Sequence, residues 1–397
     1  MELQQQVREL ARGVKNELIA IRRHLHANPE LSFEEFNTMN FVAGKLKEFG
    51  IQPQVGVAET GLTAVIEGRN PSSGIIALRA DMDALPIQER NEVPYKSQVD
   101  GVMHACGHDV HTASLLGAAN ILTALKTEFE GTVKLIFQPG EEKSPGGASL
   151  MIKDGALENP APTKIIGQHV MPLIEVGKVG FKKGMYMAST DELYVTVKGK
   201  GGHGAMPELN VDPVLIASHI IVALQQIISR NASPKTPTVL SFGKVIADGA
   251  TNVIPGEVKL EGTFRAMDEK WRAEAHIKMK KMAESIAEGM GGSCEFNIVK
   301  GYPYLENNPQ LTELAKNAAI SYLGQDNVVD LDIWMGGEDF AYYSQEIDAS
   351  FYRLGVRNEA RGITSPVHTP TFDIDEDALE IGCGLMAWIA LQTLVND

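Results

Sequence analysis

Nine consecutive residues, Met103 to His111, carry a thiol, three imidazoles and a carboxylate in the order Met-His-Ala-Cys-Gly-His-Asp-Val-His. Thiolate, imidazole and carboxylate groups bind zinc-like ions, and a catalytic zinc site keeps one position open for water. Only Gly107 separates Cys106 from His108, so one tight loop could present both side chains to the same ion. The alternative is a buried cysteine with surface histidines that cap the following helix. The cluster as a whole favours a metal site.

Further side chains of these types follow predicted strands elsewhere in the chain. Asp81 and Asp83 follow the apolar strand Ile75 to Leu78, Glu141 and Glu142 follow the strand Val133 to Phe137, and Gln168 and His169 follow the strand Lys164 to Gly167. In open α/β sheets, ligands bind at the carboxyl edge of the strands. We therefore expect these residues to meet the Cys106 loop at one rim of a sheet, where His368 could join them from a later loop.

The order of the predicted elements indicates an α/β fold. Strands that alternate with helices predict a mainly parallel central sheet, flanked by helices on both faces. From Glu192 to Val299 the order is strand-helix-strand-strand-helix-strand, which is typical of a ferredoxin-like α+β arrangement. We predict a metal-binding catalytic domain formed by residues 1–183 and 300–397, with an inserted domain at residues 184–299.

Two helices are expected before the first strand. Apolar residues from Val7 to Leu25 fall on one helical stripe, and the segment from Phe33 to Phe49 is interpreted as a second helix that ends before Gly50. His26 lies at the predicted end of the first helix, and we assign it no chemistry.

The composition argues against several classes of partner. A formal net charge of −15 supplies no basic face for nucleic acid or for an anionic membrane. Three cysteines that lie far apart favour a reducing compartment over a disulfide framework. The chain opens without a basic-then-apolar leader, and we see no apolar run near the roughly 20 residues that span a bilayer. We expect a cytoplasmic protein that binds neither nucleic acid nor membrane.

The residues expected at the rim exceed the needs of one tetrahedral ion. Cys106, His108, His169, His368 and one of the two adjacent glutamates would suit two ions that share a ligand or a water. Such a pair lowers the pKa of bound water from about 15.7 to about 7 and polarises a carbonyl, as an amide or ester hydrolase requires. One glutamate could bind metal while its neighbour acts as general acid/base. Alternatively, the two glutamates have no role in catalysis and are simply acidic residues at the N-terminus of a helix.

Three candidates for substrate contacts lie in or near the predicted inserted domain. His203 lies in the glycine-rich turn Gly199 to Gly204, where a histidine is more often structural, although an imidazole can donate to an oxyanion. Arg265 could bind a substrate carboxylate in bidentate fashion, and Asn252 could donate to a carbonyl. Gly337, in the run Gly336-Gly337-Glu338-Asp339-Phe340 of the last segment, is a fourth candidate for substrate binding.

Six motifs together resemble a known family: Arg79-Ala80-Asp81-Met82-Asp83-Ala84-Leu85-Pro86, His104-Ala105-Cys106-Gly107-His108-Asp109, Gln138-Pro139-Gly140-Glu141-Glu142, Gly202-His203-Gly204-Ala205-Met206-Pro207, Thr251-Asn252-Val253-Ile254-Pro255 and Val367-His368-Thr369-Pro370. In this order they are similar to the amidohydrolase branch of the two-metal aminoacylase and carboxypeptidase family. That branch includes hippurate hydrolases, N-acetyldiaminopimelate deacetylases and plant indole-acetyl-amino-acid hydrolases.

The resemblance implies roles for particular residues. It implies metal ligands at Cys106, His108, Glu142, His169 and His368. It also implies Glu141 as general acid/base, a supporting role for Asp83, and a homodimer formed by the inserted domain in which His203 completes the neighbouring subunit's site. More distant relatives carry histidine where Asp81 stands and bridge the metals with a carboxylate, which makes Cys106 the expected bridging ligand and leaves the role of Asp81 open.

The expected activity is hydrolysis of a small N-acyl amino acid by two divalent metal ions, with zinc or manganese first and cobalt or nickel compatible with the same ligands. A dipeptidase or aminopeptidase on the same scaffold is the near alternative. A second alternative uses Cys106 as a nucleophile with a histidine as base. A third is a non-catalytic binding protein, against which the intact ligand set argues.

Overall fold

The computed structural model describes residues 2–395. Among these residues the chain forms two compact units. The first comprises the residues up to 184, residues 306–333 and the residues from 339 onward, and the second comprises Met185–Leu305 and Trp334–Glu338.

The helices of the described chain are α1 (Glu2–Ala27), α2 (Phe36–Glu48), α3 (His108–Ala124), α4 (Gly147–Lys153), α5 (Pro213–Gln226), α6 (Glu269–Gly289), α7 (Pro309–Leu323), α8 (Ala341–Glu346) and α9 (Asp377–Val395). The strands are β1 (Gln54–Val57), β2 (Gly61–Glu67), β3 (Ile75–Asp81), β4 (Thr132–Gln138), β5 (Lys164–Glu175), β6 (Val179–Phe181), β7 (Gly184–Met187), β8 (Asp191–Lys198), β9 (Gly202–His203), β10 (Thr238–Ile246), β11 (Val253–Ile254), β12 (Glu257–Ala266), β13 (Ser293–Lys300), β14 (Leu305–Asn307), β15 (Val328–Asp330) and β16 (Asp348–Arg357).

A mixed, mostly parallel sheet forms the centre of the first unit, with the strand order β1-β2-β4-β3-β5-β16-β6-β15. Its middle strands β4, β3, β5 and β16 are parallel to one another. Antiparallel pairs occur toward the edges, where β2 joins β1 and β4 and where β6 joins β16. The predicted α/β class, with a mainly parallel sheet flanked by helices, is therefore confirmed.

The sequence of the first unit explains why these layers form. β4 is buried along its whole length, as expected for a parallel strand with both faces covered. α3 and α9 are buried on most of their faces and pack against one another, whereas α1 buries only the stripe that contains Val7, Leu18 and Leu25. The parallel strands therefore end at a common edge that loops from several parts of the chain can reach.

The second unit is built on an antiparallel sheet with the strand order β10-β12-β8-β13. The chain order β8-α5-β10-β12-α6-β13 gives this strand arrangement, which is that of a ferredoxin-like fold. α5 begins at a capped end, because the Asp212 side chain accepts hydrogen bonds from the amides of Val214 and Leu215. Ile220 of α5 and Met279 of α6 are buried in the core that these helices form with the sheet.

Two boundaries differ from the sequence-based predictions. The second helix begins at Phe36 instead of Phe33, because Phe33 has a left-handed φ of 68° that no helix can contain. β5 continues to Glu175, so that His169 lies within a strand rather than after it. β5 is longer than predicted because β16 pairs with it beyond Gly167, with Arg353 opposite His169.

Two helices are long and apolar enough to cross a membrane by length and composition, contrary to the expectation that no apolar run approaches that length. They are Pro213–Asn231, which comprises α5 and the π-helical turn Ile227–Asn231 that follows it, and Asp377–Val395; 33% and 72% of their most apolar 18-residue stretches are buried. The second is α9, whose apolar character follows from its place in the core of the first unit. Such helices are weak evidence for a membrane span.

Shortening a core side chain of α9 should destabilise the protein far more than the same change at the surface. Leu385 has no exposed surface, whereas Leu173 is 72% exposed. We expect Leu385→Ala to lower the free energy of unfolding by about 2–5 kcal/mol, because the cavity it leaves cannot fully close. Leu173→Ala is the matched control and should change it by less than about 0.5 kcal/mol. Urea denaturation followed by circular dichroism measures both changes, and equal effects would contradict this placement of α9.

Candidate metal centre

Five predicted ligands converge in the first unit. The Cys106 Sγ lies 3.4 Å from Nε2 of His169 and 3.3 Å from Nε2 of His368. Glu142 Oε1 lies 3.2 Å from the same His368 atom and 4.0 Å from Nε2 of His108. The ligand atoms form two triads, Cys106/His108/His169 and Cys106/Glu142/His368, and the atoms of each triad lie within 4.8 Å of one another. Because Cys106 belongs to both triads, one thiolate can serve two ions.

The turn from Cys106 to His108 depends on the glycine between them. Gly107 has a left-handed φ of 83°, and a Cβ at this position would lie 2.6 Å from Cγ2 of Val170. Only glycine allows the chain to turn so close to β5 and then to begin α3 at His108. The turn places the thiol and the imidazole on the same side of the loop, within reach of one ion.

Hydrogen bonds at Nδ1 orient two of the imidazoles. His108 donates from Nδ1 to Asp83 Oδ1 over 3.0 Å, and His169 donates from Nδ1 to the Val170 carbonyl over 2.7 Å. A carboxylate and a carbonyl can only accept, so Nδ1 carries the proton in both rings. Nε2 therefore faces the other ligands in each case, which is the usual arrangement of a metal-binding histidine with a partner behind it.

The electrostatics of the cluster favour a bound cation. Burial lowers the pKa of His108, but the carboxylates of Asp81 and Asp83 outweigh burial and raise this pKa to about 10. Burial, together with Glu142 and Glu141, raises the pKa of the Cys106 thiol well above its usual value. Without a cation the cluster would hold protons on these ligand atoms. A divalent cation can replace these protons, because a coordinating thiol loses its own.

Two buried atoms of the cluster show whether its residues suit a bound metal ion. His108 Nε2 and Glu142 Oε1 are buried, and within residues 2–395 neither atom forms a hydrogen bond of normal geometry, although Glu142 Oε1 lies 3.2 Å from Nε2 of His368. An unpartnered buried polar atom costs about 1–3 kcal/mol, so both atoms indicate a missing ligand. Thiolate, imidazole and carboxylate ligands together suit zinc and its neighbours. The residues present therefore fit a pair of divalent cations.

Asp81 and His111 lie beside the centre, but other residues of the chain occupy their polar atoms. Asp81 accepts from His111 Nδ1 over 2.5 Å through Oδ1 and from Arg79 Nη1 over 2.6 Å through Oδ2. His111 Nε2 accepts from the Val170 amide over 2.9 Å. Burial alone would raise the pKa of Asp81, but the charge of Arg79 holds this pKa well below its usual value. Asp81 is thus a charged support for His111 and for the backbone next to His169.

Asp83 connects two of the predicted ligands. Besides accepting from His108, it accepts from the backbone amide of Glu142 over 3.0 Å. Glu141 lies next to this contact and is buried, with Oε1 3.4 Å from the amide of Asp339. One carboxylate oxygen of Glu141 lies within 4.8 Å of ligand atoms of both His108 and Glu142. Glu141 therefore borders the centre without belonging to either triad.

A buried ion network holds the strand end that precedes Glu141. Asp339 accepts from Arg79 Nη2 and from Gln138 Nε2, each over 2.8 Å, and from the Ala148 amide over 2.9 Å. Gln138 ends β4 and Ala148 lies in α4, so these bonds tie both ends of the loop that carries the two glutamates. Sequence analysis quoted Asp339 within a motif but gave it no role.

The loop that carries His368 is strained and tied to the cysteine loop. His368 has a φ of 61°, which is uncommon outside glycine and asparagine, and its amide donates to the Ala105 carbonyl over 2.8 Å. Residues in such conformations cluster at functional sites, where the surrounding structure enforces them. This contact brings His368 to Cys106 across 262 positions of sequence.

A second buried network was missed by the sequence analysis. His26, predicted only as a helix end, is fully buried with Arg22, and both donate over 2.8 Å to Oδ2 of Asp109, the residue after His108. Arg22 also donates to Asp373 in the loop beyond His368 over 3.0 Å. Their positions on the apolar face of α1 were a signal, because charged residues are rarely buried without partners.

The other predicted residues belong to the second unit. His203 in β9 pairs with Val253 in β11, and the Gly204 amide donates to the Asn252 carbonyl over 2.8 Å, so that His203 and Asn252 are neighbours. The Ala205 amide donates to His203 Nδ1 over 3.0 Å. Gly337 lies beside Arg265, since a Cβ at this glycine would lie 3.6 Å from Nη1 of Arg265. The structure thus places His203 beside Asn252, and Gly337 beside Arg265.

Comparisons with known proteins agree with this centre. Residues 77–392 match the model of peptidase family M20/M25/M40. An N-acetyl-L-cysteine deacetylase of Bacillus subtilis is 42% identical over 92% of this chain and 85% of its own. A thermostable carboxypeptidase of Saccharolobus solfataricus is 36% identical over 99% of each chain. A crystal structure from Bacillus subtilis, described as a dinuclear metal binding peptidase of family M20, is 36% identical with a TM-score of 0.84, covering 97% of this chain and 100% of that one.

The matched region contains all five converging ligands, and the sequence likeness extends over nearly the whole chain. The resemblance stated from the sequence motifs is therefore confirmed. The chain belongs to peptidase family M20/M25/M40 and is a metal-dependent hydrolase of its amidohydrolase branch.

Proposed function

We propose that this protein hydrolyses the amide bond of N-acyl amino acids and releases a carboxylic acid and an amino acid. The observation that carries the proposal is the position of Glu141, a buried carboxylate at the border of two triads of ligand atoms. The likeness to an N-acetyl-L-cysteine deacetylase supports a small acyl group on an amino acid as the substrate class.

In this proposal Cys106, His108, Glu142, His169 and His368 would hold two divalent cations, and Cys106 belongs to both triads of possible ligand atoms. When bound, the two cations lower the pKa of water and polarise the amide carbonyl. The thiolate favours zinc, and the imidazole and carboxylate ligands also accept manganese, cobalt or nickel.

Glu141 is proposed as the general base and then the general acid. Its carboxylate takes a proton from the attacking water and hands it to the leaving amine, a role worth typically about 10²- to 10⁴-fold in rate. Asp83 supports this step because it holds both His108 and the Glu142 amide in place.

The second unit is proposed to bind the substrate. His203 Nδ1 accepts a hydrogen bond from the Ala205 amide, so the proton of a neutral ring lies on Nε2. His203 can therefore donate from Nε2 to a developing oxyanion. Arg265 can bind the substrate carboxylate beside Gly337, and Asn252 can donate to the acyl carbonyl.

We further propose a homodimer formed through the second unit. Among the described residues β10 pairs with β12 alone and is an edge of its sheet, yet it exposes 56% of Val245 and 39% of Ile246. α5 exposes 73% of Val222. A long apolar edge strand invites pairing, and a second copy of the same strand could pair with it about a twofold axis. The net charge of −15 argues against nucleic-acid or anionic-membrane partners, and three cysteines that lie far apart in sequence favour a reducing compartment such as the cytoplasm.

The alternatives receive less support. The raised pKa of the buried Cys106 thiol makes it a poor nucleophile, because the thiolate is the nucleophilic form. A dipeptidase or aminopeptidase would use the same centre, and the likeness to a carboxypeptidase keeps peptides in the set of substrates to be tested.

Hydrolysis of N-acetyl amino acids should exceed that of free dipeptides, and it should stop when a chelator removes the metals. Glu141→Ala should lower kcat by about 10²- to 10⁴-fold while two metal ions remain bound, because Glu141 belongs to neither triad. Glu128→Ala, at an exposed glutamate, is the control and should leave kcat unchanged. Amine release and elemental analysis give the two readouts. Faster cleavage of dipeptides, or activity that survives chelation, would refute the proposal.

If the dimer shares its sites, two inactive variants should complement one another. His203→Ala should lower kcat without loss of metal, because His203 donates to the substrate and does not bind the ions. After subunit exchange with Glu141→Ala, one site in each mixed dimer has both residues intact, which restores up to about a quarter of the original activity. Sites contained within one subunit would give no recovery, and loss of metal from His203→Ala would mean that its role is different.

A further inference from the structure

The segment from Glu30 to Glu35, between α1 and α2, packs against two loops of the centre; we call it the brace segment. It contacts the loop of Asp83 after β3 and the loop of Gly140 and Glu141 after β4. Its last three residues fall within the helix predicted from Phe33 to Phe49, and none of its six residues is a proposed metal ligand or substrate contact.

Glu35 makes the first contact. Its side chain has no exposed surface, and its Oε1 accepts from the Gly140 amide over 2.8 Å while Oε2 accepts from the Thr60 hydroxyl over 2.6 Å. Gly140 directly precedes Glu141. Burying a carboxylate is costly unless it is hydrogen-bonded, so both bonds are needed to keep Glu35 where it is. Burial, together with the charge of Asp83, raises the pKa of Glu35 to about 7.

Phe33 makes the second contact, which involves two left-handed residues. Phe33 has a φ of 68° and Gly140 a φ of 59°. A Cβ at Gly140 would lie 2.3 Å from Cε1 of the Phe33 ring, so the ring occupies the space that a side chain would need. A bulky residue with positive φ is an outlier that costs about 1–3 kcal/mol, and it persists only where its surroundings enforce it.

Ser32 makes the third contact. Its hydroxyl donates to Asp83 Oδ2 over 2.6 Å, and the backbone carbonyl of Glu30 accepts from the Ala84 amide over 2.8 Å. The same Asp83 oxygen accepts from the Glu142 amide. The brace segment therefore holds the supporting carboxylate and the loop of the proposed general base at the same time.

We propose that the brace segment fixes the general base and that Glu35 is a positioning residue, which acts on Glu141 through the Gly140 amide. This inference rests on the proposed function, since it assigns a role within that reaction. The arrangement directs one hydrogen bond from a buried carboxylate to the Gly140 amide and packs the left-handed Phe33 against the same glycine, next to the residue whose placement decides proton transfer. A displacement of about 1 Å in such a group can cost about 10²-fold in rate.

A set of variants separates positioning from general stabilisation. Glu35→Ala removes both hydrogen bonds, whereas Thr60→Val removes only the one that does not reach Gly140. Glu35→Gln retains an acceptor for the Gly140 amide and can donate to the Thr60 hydroxyl. Glu34→Ala, at the exposed neighbour, is the matched surface control.

The experiment measures kcat and KM for an N-acetyl amino acid, metal content, and hydrogen exchange of the peptide that covers residues 139–147. Glu35→Ala should lower kcat about 10- to 100-fold, with KM within about twofold and two metals retained. Exchange at the Gly140 amide should become faster without any substrate present. Glu35→Gln should recover most of kcat, and Thr60→Val and Glu34→Ala should remain close to the original protein.

Four results would overturn the proposal: unchanged exchange at Gly140 in Glu35→Ala, a kcat within about threefold of the original, loss of metal, or an equal effect of Thr60→Val. If Glu35→Ala does not fold, Glu35→Asp replaces it, because the side chain one methylene shorter cannot keep both bonds, and its kcat should fall only if exchange at the Gly140 amide becomes faster. Hydrogen exchange decides the role of the brace segment even if no N-acyl amino acid is cleaved, and that outcome would refute the proposed function alone.

Discussion

The structure depends on the cost of leaving polar atoms buried without partners. His108 and His169 are held at Nδ1 by a carboxylate and a carbonyl, so that Nε2 of each ring points toward other ligand atoms. In the part of the chain that the structure describes, neither Nε2 of His108 nor Oε1 of Glu142 forms a hydrogen bond of normal geometry. A folded chain tolerates such atoms when a cation completes the arrangement and supplies the missing interactions. The surplus of carboxylates around Cys106 leads to the same conclusion, because only positive charge makes this cluster stable with the thiol ionised.

The loops of the centre are positioned by parts of the chain that contribute no ligand. β3 provides Arg79 and Asp81, which form a buried ion network with Asp339 and support His111. α1 provides Arg22, which binds both the start of α3 and the loop beyond His368. Each support is a charged group with fixed partners on regular structure, and rigid supports of this kind hold a constellation to the tolerance that catalysis requires.

Sequence analysis found the residues with chemistry more easily than the residues that support them. Cys106 and His108 lie two positions apart in sequence, and Glu141 follows a strand end, so residue type and local pattern are sufficient to select them. The ion pair of Arg79 with Asp339 joins residues 260 positions apart, and no local pattern predicts such a pairing. Phe33 was assigned to a helix on pattern alone, but its contact with Gly140 enforces a left-handed conformation there, because tertiary packing outweighs helix propensity.

The central claim is that two divalent cations share the Cys106 thiolate, and a cobalt titration tests it most directly. Metal-free protein is titrated with Co²⁺ while the thiolate-to-cobalt charge-transfer absorption in the near ultraviolet is recorded, and bound metal is counted by elemental analysis. This account expects two equivalents per chain in the original protein, and loss of the charge-transfer absorption in Cys106→Ser. A single equivalent at saturation, or an absorption that persists in Cys106→Ser, would contradict it.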